Sequence, residues 1–378
     1  MTTTKNNEHK KLNAPNKQEQ NQTCLDSAER EGLRPKGNVP NLRFPEFQGE
    51  WEEYKIEDIA RVGANAGFLQ IINEPCGITD NTLIIKPKEV DVQYIYYFLQ
   101  HFNLNRLIFG SGQPLITGGM LKKVKVSLGT IQEQNKITRL LSVLDERITT
   151  QNKIIEDLKK LKSAIVEKVF CSPNQEYPMC RIEGFEQSLS TYKMSDFSSR
   201  IATKNKDSKC SLVLTIAAQY GLVNQESFFN KSVASENLTG YYLLHKGEFA
   251  YNRSYSAGYD WGTVKRLDNY DEGVLSTLYI CFKINETIVD SDYLAYYFES
   301  TKWHRGLSDI AGEGARNHGL LNVSMADYFN TKHRFPVIEE QKAIAKILNA
   351  ITEKERKATL LGECYQKQKQ YLLCQMFT

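Results

Sequence analysis

Several short stretches of the chain combine basic, amide and aromatic side chains, and such residues can contact nucleic acid. Arginine, lysine and asparagine hydrogen-bond to guanine and adenine edges or hold phosphate. The candidate contacts are Lys204, Lys206, Asn252, Arg253, Tyr255, Lys265, Arg266, Arg316 and Asn317 in the second half of the chain, and Arg61, Asn65 and Gln113 in the first half. For each of these residues the alternative is an ordinary solvated loop position.

Motifs that would carry catalysis are missing from the sequence. There is no nucleotide-binding G-x-x-x-x-G-K-[ST] loop, no G-x-G-x-x-G after a strand, no Pro-Asp dipeptide and no Asn/Asp-Pro-Pro-aromatic motif. The six histidines show neither H-x-x-x-H nor H-E-x-x-H spacing, and none of the eight cysteines forms C-x-x-C. The sequence therefore predicts a binding scaffold without catalytic residues or a metal site.

The composition is that of a globular chain. A length of 378 residues allows two or three domains, and 41% of the residues are hydrophobic. No window of 18 apolar residues and no apolar N-terminal region occurs, so we expect neither a membrane span nor a secretory signal. The scattered cysteines favour a reduced cytoplasm. The net charge of +3 is compatible with nucleic-acid binding but does not establish it.

Two long segments are expected to form the helices that position these loops. The first, Thr130 to Phe170, contains no Pro or Gly, and its apolar residues alternate in steps of four and three, with Gln151 and Lys162 at two of the positions. This 3.5-residue period is typical of a helix that packs lengthwise on another helix. Adding 207 to each number aligns the segment with Val337 to Phe377 without a gap. The predicted packing positions are Ile137, Leu141, Leu144, Ile148, Leu158, Ile344, Leu348 and Ile351.

A second repeat lies ahead of each long segment. Pro40 to Asp58 recurs as Pro178 to Asp196, at a constant offset of 138. The chain therefore uses one plan twice, with a leader, a globular body and a long helix.

The two bodies differ in length. Val92 to Leu99 matches Asp292 to Glu299 at an offset of 200, and both contain Tyr-Tyr-Phe. A weaker match joins the stretch that begins at Arg61 to the one that begins at Asn252, at an offset of 191. The jump in offset indicates that some fifty residues of the second body, roughly residues 198–251, have no counterpart in the first.

These patterns predict an α+β chain with two globular α/β domains in tandem repeat, each followed by a long helix. The two helices are expected to pair as an antiparallel coiled coil. The predicted boundaries are a disordered polar tail (1–38), a shortened first domain (39–129), a central helix (130–170), a linker (171–177), a second domain (178–336) and a C-terminal helix (337–378).

The leader and the helix starts carry a family resemblance. Pro40 to Trp51 reads P-x-L-R-F-P-x-F-x-G-x-W, and each long helix begins I-x-E-Q and ends near Phe. Over residues 40–378 the chain resembles the specificity (S) subunit of type I restriction–modification systems, with a shortened first target recognition domain. The resemblance implies a non-catalytic subunit in which each body reads one half of a split double-stranded DNA target.

The same resemblance implies partners. Two methyltransferase (M) subunits would dock on the helices, and restriction (R) subunits would join them. S-adenosylmethionine, ATP and Mg would be bound by those subunits and not by this chain.

Three other interpretations stay open at this level. The chain could be a coiled-coil structural protein that binds other proteins, a subunit inactivated by the deletion in its first body, or an enzyme that acts alone on nucleic acid. Steep salt dependence of binding favours a DNA-binding role over a structural one.

Overall fold

The structure, a computed structural model, describes residues 38–62, 69–72, 74, 77, 83–107, 116–231, 237–254, 258–310, 316–317, 320–321 and 323–377. These residues form two compact units. The first unit takes the described residues up to Lys153 together with those from Ala358 onward, and the second takes Ile154–Lys357. Apart from Asn38, the predicted polar tail lies outside the described residues.

The first unit is a small α+β body on parts of both long helices. Two pairs of antiparallel strands frame it, β1 with β4 and β2 with β3. Its elements are β1 (Glu52–Lys55), α1 (Ile56–Ile59), β2 (Ala60–Val62), β3 (Ile85–Pro87), α2 (Val92–Phe102), a 3-10 turn (Leu104–Leu107), α3 (Gly118–Lys122), β4 (Lys125–Leu128) and the start of α4 (Ile131–Val169).

The second unit repeats this frame and adds strands to it. Its main sheet has the antiparallel order β11-β10-β13-β6, and β5 pairs with β16, β7 with β8, β9 with β12 and β14 with β15. Its elements are β5 (Ser190–Lys193), α5 (Met194–Phe197), β6 (Ser198–Arg200), a 3-10 turn (Lys206–Ser208), β7 (Leu214–Ala217), β8 (Gly221–Asn224), α6 (Gln225–Phe229), β9 (Tyr242–His245), β10 (Phe249–Asn252), β11 (Thr263–Arg266), β12 (Glu272–Leu275), β13 (Ile280–Ile284), α7 (Ser291–Tyr297), α8 (His304–Ser308), β14 (Arg316–Asn317), β15 (Leu320–Leu321), α9 (Met325–Asn330), β16 (Lys332–Phe335) and α10 (Ile338–Met376).

The predicted packing positions on α4 and α10 differ in burial. Six of them are at most 9% exposed, namely Ile137, Leu141, Leu144, Ile344, Leu348 and Ile351. Ile148 and Leu158 are only half-buried. Gln151, which interrupts the apolar period, is buried in the first unit, and its side-chain amide donates a 2.9 Å hydrogen bond to the Ala358 carbonyl. A polar residue is therefore accommodated at that position because it has a partner.

An equivalent Arg–Glu ion pair, called the clasp below, joins the leader to the long helix in each unit. In the first, the Arg43 guanidinium meets the fully buried Glu133 carboxylate at 2.6 Å. In the second, Arg181 meets Glu340 at 2.7 Å. The arginines are related by 138 and the glutamates by 207, the two offsets of the sequence repeat. The internal repeat is thus present in the side-chain contacts of the structure as well as in the amino-acid sequence.

The residue after each buried glutamate is a glutamine that bonds to the start of the aromatic helix of its unit, α2 or α7. These bonds show which residues of the two aromatic helices are equivalent. Gln134 Oε1 accepts from the backbone of Asp91, the N-cap of α2, and Gln341 Oε1 accepts from Asp290, the N-cap of α7. These caps are related by 199, so Tyr94 corresponds to Tyr293. The offset of 200 from the Tyr-Tyr-Phe match is wrong by one residue, because the cap and not the aromatic letters sets the helix start.

Strand pairing corrects a second alignment. β2 and β6 each follow a four-residue helix directly, and they pair with β3 and β13, respectively. Arg61 therefore corresponds to Ser199 in β6, and not to Asn252 in β10. The unmatched segment of the second unit accordingly runs from Ile201 to Cys281, whereas the prediction placed it at about residues 198–251.

Each core closes on a phenylalanine at the end of a long helix. Phe377 lies 5.1 Å from Tyr94 in the first unit, and Phe170 lies 5.0 Å from Tyr293 in the second, between ring centroids. These rings are at most 1% exposed, except Phe377 at 4%. Edge-to-face and tilted ring contacts stabilise beyond their burial.

Removing the buried charge should destabilise the first unit selectively. We expect Glu133→Gln to lower its unfolding free energy by about 3 kcal/mol, because Arg43 then lacks its counter-ion. The matched control is Glu46→Gln, which breaks the exposed pair with Lys136 and should cost less than ~1 kcal/mol. Hydrogen exchange of the α2 peptides in increasing urea measures both. Equal effects of the two variants would contradict a central role for the clasp.

Acid should destabilise the same unit through His101, whose ring stacks on Phe377 and whose Nδ1 is buried without a partner. Burial, assisted by nearby Arg106, lowers the pKa of His101 to about 4. As the pH falls below 6.5, the imidazole takes up a proton in the unfolded chain but not in the folded one. The free energy of unfolding therefore falls between pH 6.5 and 4, by ~1.4 kcal/mol per pH unit. We expect His101→Phe to flatten this loss while matching the wild-type protein at pH 8 to within a small offset. If the curves of unfolding free energy against pH were parallel for the wild-type protein and His101→Phe, His101 would not be the source of the acid sensitivity.

Candidate nucleic-acid interface

The candidates whose side chains the structure describes lie in the second unit, in or beside the segment that the first unit lacks. Asn252 ends β10, Lys265 and Arg266 end β11, and Lys204 and Lys206 follow β6. Asn65, Gln113 and Tyr255 lie outside the described residues. For Arg61, Arg316 and Asn317 the structure describes the backbone, as parts of β2 and β14, and not the side chain.

Arg253 ties three segments of the second unit together. Its Nη1 donates to the Val323 carbonyl at 3.2 Å and its Nη2 to the Leu278 carbonyl at 3.3 Å. Its own carbonyl accepts from Leu321 N. These bonds hold the guanidinium between three segments, and base contact by Arg253 stays a prediction. Neighbouring Asn252 caps the turn by accepting from Ser254 N.

Carboxylates already hold the two cations of β11. Arg266 bonds to Asp268 at 2.6 Å and to Asp292 at 2.7 Å, and its side chain is 17% exposed. Lys265 lies 3.9 Å from Glu299, and burial lowers the pKa of Lys265 while Glu299 only partly offsets this. The sequence could not show these partners, because Asp292 and Glu299 are distant along the chain. DNA contact by the two residues remains a prediction that competes with these ion pairs.

Lys204 and Lys206 lie at the entry to the extra segment. The Lys204 ammonium sits 4.0 Å above the Tyr242 ring and donates to the Gly240 carbonyl. Arg200, which the sequence search did not select, donates to the Tyr242 hydroxyl at 2.9 Å. The side chain of Lys206 is exposed to solvent. Among the described candidates, Lys206 is therefore the one best placed to meet a phosphate.

The second unit also exposes the tip of the β7–β8 hairpin, which carries no cation and was not among the candidates. β7 and β8 are joined by a tight turn in which Tyr220 N donates to the Ala217 carbonyl and Gly221 has a φ of +84°. Tyr220 is 65% exposed, and Gln219 beside it is exposed as well. The letters Gln-Tyr-Gly between two apolar runs are the signal that could have identified this turn.

The long helices also leave apolar residues in solvent. Leu140 is 38% exposed and its repeat counterpart Ile347 is 44% exposed. Ile154 is 44% exposed and its counterpart Leu361 is 43% exposed. One member of each pair belongs to each unit. Equivalent exposed positions in both repeats indicate surfaces of the same kind, one in each unit.

The described residues contain no group of three or more His, Cys, Asp or Glu side chains arranged to hold a metal ion. No helix among them is both long enough and apolar enough to span a bilayer.

Comparison with known proteins finds a family match over part of the chain. The family model for the type I restriction modification DNA specificity domain matches residues 62–160. A relative named as the type I restriction enzyme MjaX specificity subunit of Methanocaldococcus jannaschii is 25% identical over 297 residues, covering 72% of this chain and 64% of the relative. The MjaVIII specificity subunit of the same organism is 33% identical over 113 residues, covering 29% of this chain and 26% of the relative. The chain thus spans less than two thirds of the length of these relatives.

The fold agrees with a solved structure. A type I restriction–modification S subunit from M. genitalium superposes with a TM-score of 0.51 at 15% identity, covering 90% of this chain and 99% of that one. Two repeated α+β bodies on long helices are therefore the fold of an S subunit. Residues 62–160 thus match the type I restriction modification DNA specificity domain, and the chain is similar to type I specificity subunits in sequence and in fold.

The contacts of the candidates predict different roles for two of them. We expect Arg266→Ala to lower the unfolding free energy of the second unit by about 1–2 kcal/mol, because Asp268 and Asp292 lose a shared, largely buried partner. Lys206→Ala should change it by less than ~0.5 kcal/mol, since its side chain is exposed. Urea titration of both variants tests this. A large loss for Lys206→Ala would show that Lys206 has a structural role.

Proposed function

We propose that this chain supplies the DNA-sequence specificity of a type I restriction–modification complex and performs no catalysis itself. The observation that carries the proposal is the repeated clasp, Arg43–Glu133 in one unit and Arg181–Glu340 in the other, which attaches two equivalent bodies to two equivalent helices. Duplex DNA has a two-fold axis, and a protein built from two related halves suits a target with two half-sites. A split target requires that both bodies contact bases.

The long helices act as the spacer in this proposal, paired antiparallel along their length. Two contacts inside the first unit support the antiparallel direction. Gln151 bonds to Ala358, and Asp145 bonds to Lys369 at 2.6 Å, so the partner number rises as the number on α4 falls. Gln151 and Ala358 are themselves equivalent in the repeat. A contact between equivalent positions is what a two-fold arrangement of two helices produces.

The exposed apolar residues of the helices are the proposed docking surfaces for two M subunits. Leu140 and Ile347 are one equivalent pair, so two copies of one partner could bind in the same way. Restriction subunits would join that assembly. S-adenosylmethionine, ATP and Mg would be bound by the partner subunits, which the absence of catalytic motifs in this sequence supports.

A structural protein is the second candidate, because exposed apolar helix faces also suit protein partners that have nothing to do with DNA. The two functions differ in their response to salt. Specific DNA binding through phosphates loses affinity steeply as the salt concentration rises, because the release of counter-ions from the DNA becomes less favourable, and contact through Leu140 and Ile347 does not.

The test is selection of binding sites by the complex of this chain with its M subunits. From a pool of random-sequence duplexes we expect enrichment of one motif, with affinity that falls linearly on a log–log plot against salt. Lys206→Ala should weaken binding to all sequences similarly and reduce the salt slope by about 1. A stable complex with M subunits that enriches no motif would favour the structural or inactivated alternatives.

A further inference from the structure

Two cations of the second unit share one tyrosine. Tyr242 lies on β9 and is only 6% exposed. Its hydroxyl accepts a 2.9 Å hydrogen bond from Arg200 Nη2, and the Lys204 ammonium lies 4.0 Å from the centroid of its ring. The guanidinium carbon of Arg200 is 6.0 Å from the same centroid. One largely buried aromatic side chain therefore holds a guanidinium and an ammonium close together.

Backbone hydrogen bonds fix both cations in place. Arg200 ends β6, which pairs with β13. Lys204 lies opposite Tyr242 in an antiparallel bridge, and the backbones on either side of Lys204 bond to the backbones on either side of Tyr242. The Lys204 ammonium also donates to the Gly240 carbonyl at 2.7 Å. Both side chains are thus ordered before any ligand binds, which favours binding.

Neither cation is neutralised by the protein around it. The contacts of Arg200 and Lys204 are the ring and hydroxyl of Tyr242 and the Gly240 carbonyl, all of them uncharged. Among the side chains that the structure describes, no carboxylate lies within 4.0 Å of either cation. Arg266 of the same unit, by contrast, is held by two carboxylates. Two like charges repel each other, so an anion that joins Arg200 and Lys204 would stabilise them.

A buried thiol shows that the two cations act on the same place. Burial raises the pKa of the Cys281 thiol to about 12, and Glu248 adds to this rise. Arg200 and Lys204 both oppose the rise in pKa, so both lie close to Cys281. Glu248 is the carboxylate in these surroundings, and it accepts a 2.7 Å bond from the backbone of His245. It therefore serves the turn between β9 and β10.

Two exposed lysines extend the positive surface. Asn205 is fully buried, and its side-chain amide bonds to both the backbone nitrogen and the carbonyl of Cys210. These bonds close the turn that carries Lys206 and Lys209, whose side chains are exposed. Residues 200–209 contain four basic residues and one acidic residue. The cations are therefore arranged along one short segment of the second unit.

The ligand that fits this arrangement is the phosphate backbone of DNA. A guanidinium fork bonds two phosphate oxygens, and an ammonium beside it adds a point charge. Duplex DNA carries one negative charge per about 1.7 Å of its axis, so lysines further along the segment meet neighbouring phosphates. An acidic protein surface offers no such regular array. Contacts of this kind fix the register and orientation of a protein on the duplex.

We propose that Arg200, Lys204 and Tyr242 form a phosphate-binding site that fixes the DNA backbone against the second unit, with Tyr242 as the positioning residue. The proposal rests on the DNA-specificity role proposed above and adds a backbone contact to one of its two half-sites. Strand pairing and the offset of 138 make Val62 the first-unit equivalent of Arg200. The first unit thus has no cation at this position, and its half-site would be held by other contacts.

The salt dependence of binding tests the two charges. For the complex with M subunits on the duplex that it selects, Arg200→Gln and Lys204→Gln should each reduce the slope of log affinity against log salt by about 0.9. Each should lower affinity about tenfold or more and leave the motif unchanged, because phosphate contacts read no bases. An unchanged slope for either variant would overturn the shared site.

The control for lost charge is Lys246→Gln in the same unit. Lys246 already lies 3.8 Å from Asp271, and its side chain is exposed. This variant removes the same charge from the chain and should leave the salt slope unchanged. A reduction as large as that of Arg200→Gln would show a general effect of net charge and would overturn the site.

Conservative variants separate phosphate binding from a role in folding. Arg200→Lys keeps the charge and loses the fork, so it should restore the salt slope but only part of the affinity. Tyr242→Phe keeps the ring and should weaken binding when Arg200 is present but not in the Arg200→Gln background. If Arg200→Lys has the slope and affinity of Arg200→Gln, or if Tyr242→Phe acts equally in both backgrounds, the proposed geometry is wrong.

Uncharged phosphates locate the contact on the DNA. Methylphosphonates placed singly along both strands of the selected duplex remove one negative charge at a time. One position, in one half-site, should weaken binding by the wild-type complex and have little effect on the Arg200→Gln complex. If every position weakens the two complexes equally, Arg200 contacts no phosphate.

The remaining outcomes separate this site from the role on which it rests. If the complex selects a motif but Arg200→Gln loses M subunits and keeps the salt slope, the cations bind an acidic protein surface, and the phosphate site alone is overturned. If the wild-type complex selects no motif, the DNA-specificity role is overturned together with this site.

Discussion

A buried carboxylate at the start of each long helix holds leader, body and helix together. Glu133 and Glu340 are almost fully removed from water, a position that a carboxylate occupies only when donors surround it. Arg43 and Arg181 supply those donors and also bond to the carbonyls of Gly49 and Gln187, so each leader is folded around its ion pair. In the first unit the Trp51 indole adds a third donor. It fits because Gly129 has no side chain, whereas the second unit has Leu189 and Pro336 at these two positions.

The residue after each buried glutamate connects the ion pair to the globular body. Gln134 and Gln341 each bond to the N-cap aspartate of an aromatic helix and to the carbonyl that precedes the long helix. The aromatic helix is thereby held in one rotation, in which Tyr94 contacts Phe377 and Tyr293 contacts Phe170. Tyr97 also reaches Asp145, and Tyr296 reaches Thr352, which is the equivalent position. A chain of hydrogen bonds thus sets the geometry, and the aromatic rings pack in the core of each unit.

Local patterns in the sequence predicted much of this arrangement. The 3.5-residue period and the repeated Glu-Gln are properties of short windows, so the long helices and their starts could be read directly. The register of α2 and α7 could not, because Tyr-Tyr-Phe matches at an offset of 200, and only the bonds to Asp91 and Asp290 show that the offset is 199. The candidate interface was harder still. Arg266 looks available in the sequence, but its partner Asp292 is brought to it by the fold. The hairpin tip at Gln219 carries no positive charge, so the pattern of basic residues in the sequence does not indicate it.

The second unit packs two hydrophobic cores on the two faces of its main sheet. On β13, Ile280 and Phe282 belong to the core that also contains Phe170, while Cys281 belongs to a second core on the other face. Side chains alternate between the faces of a strand, so one strand contributes to both cores. In the first unit the described core residues around Phe377 form a single cluster. The contacts between the aromatic helix and the terminal phenylalanine therefore occur in both units, and the second core is an addition on the far face of the sheet.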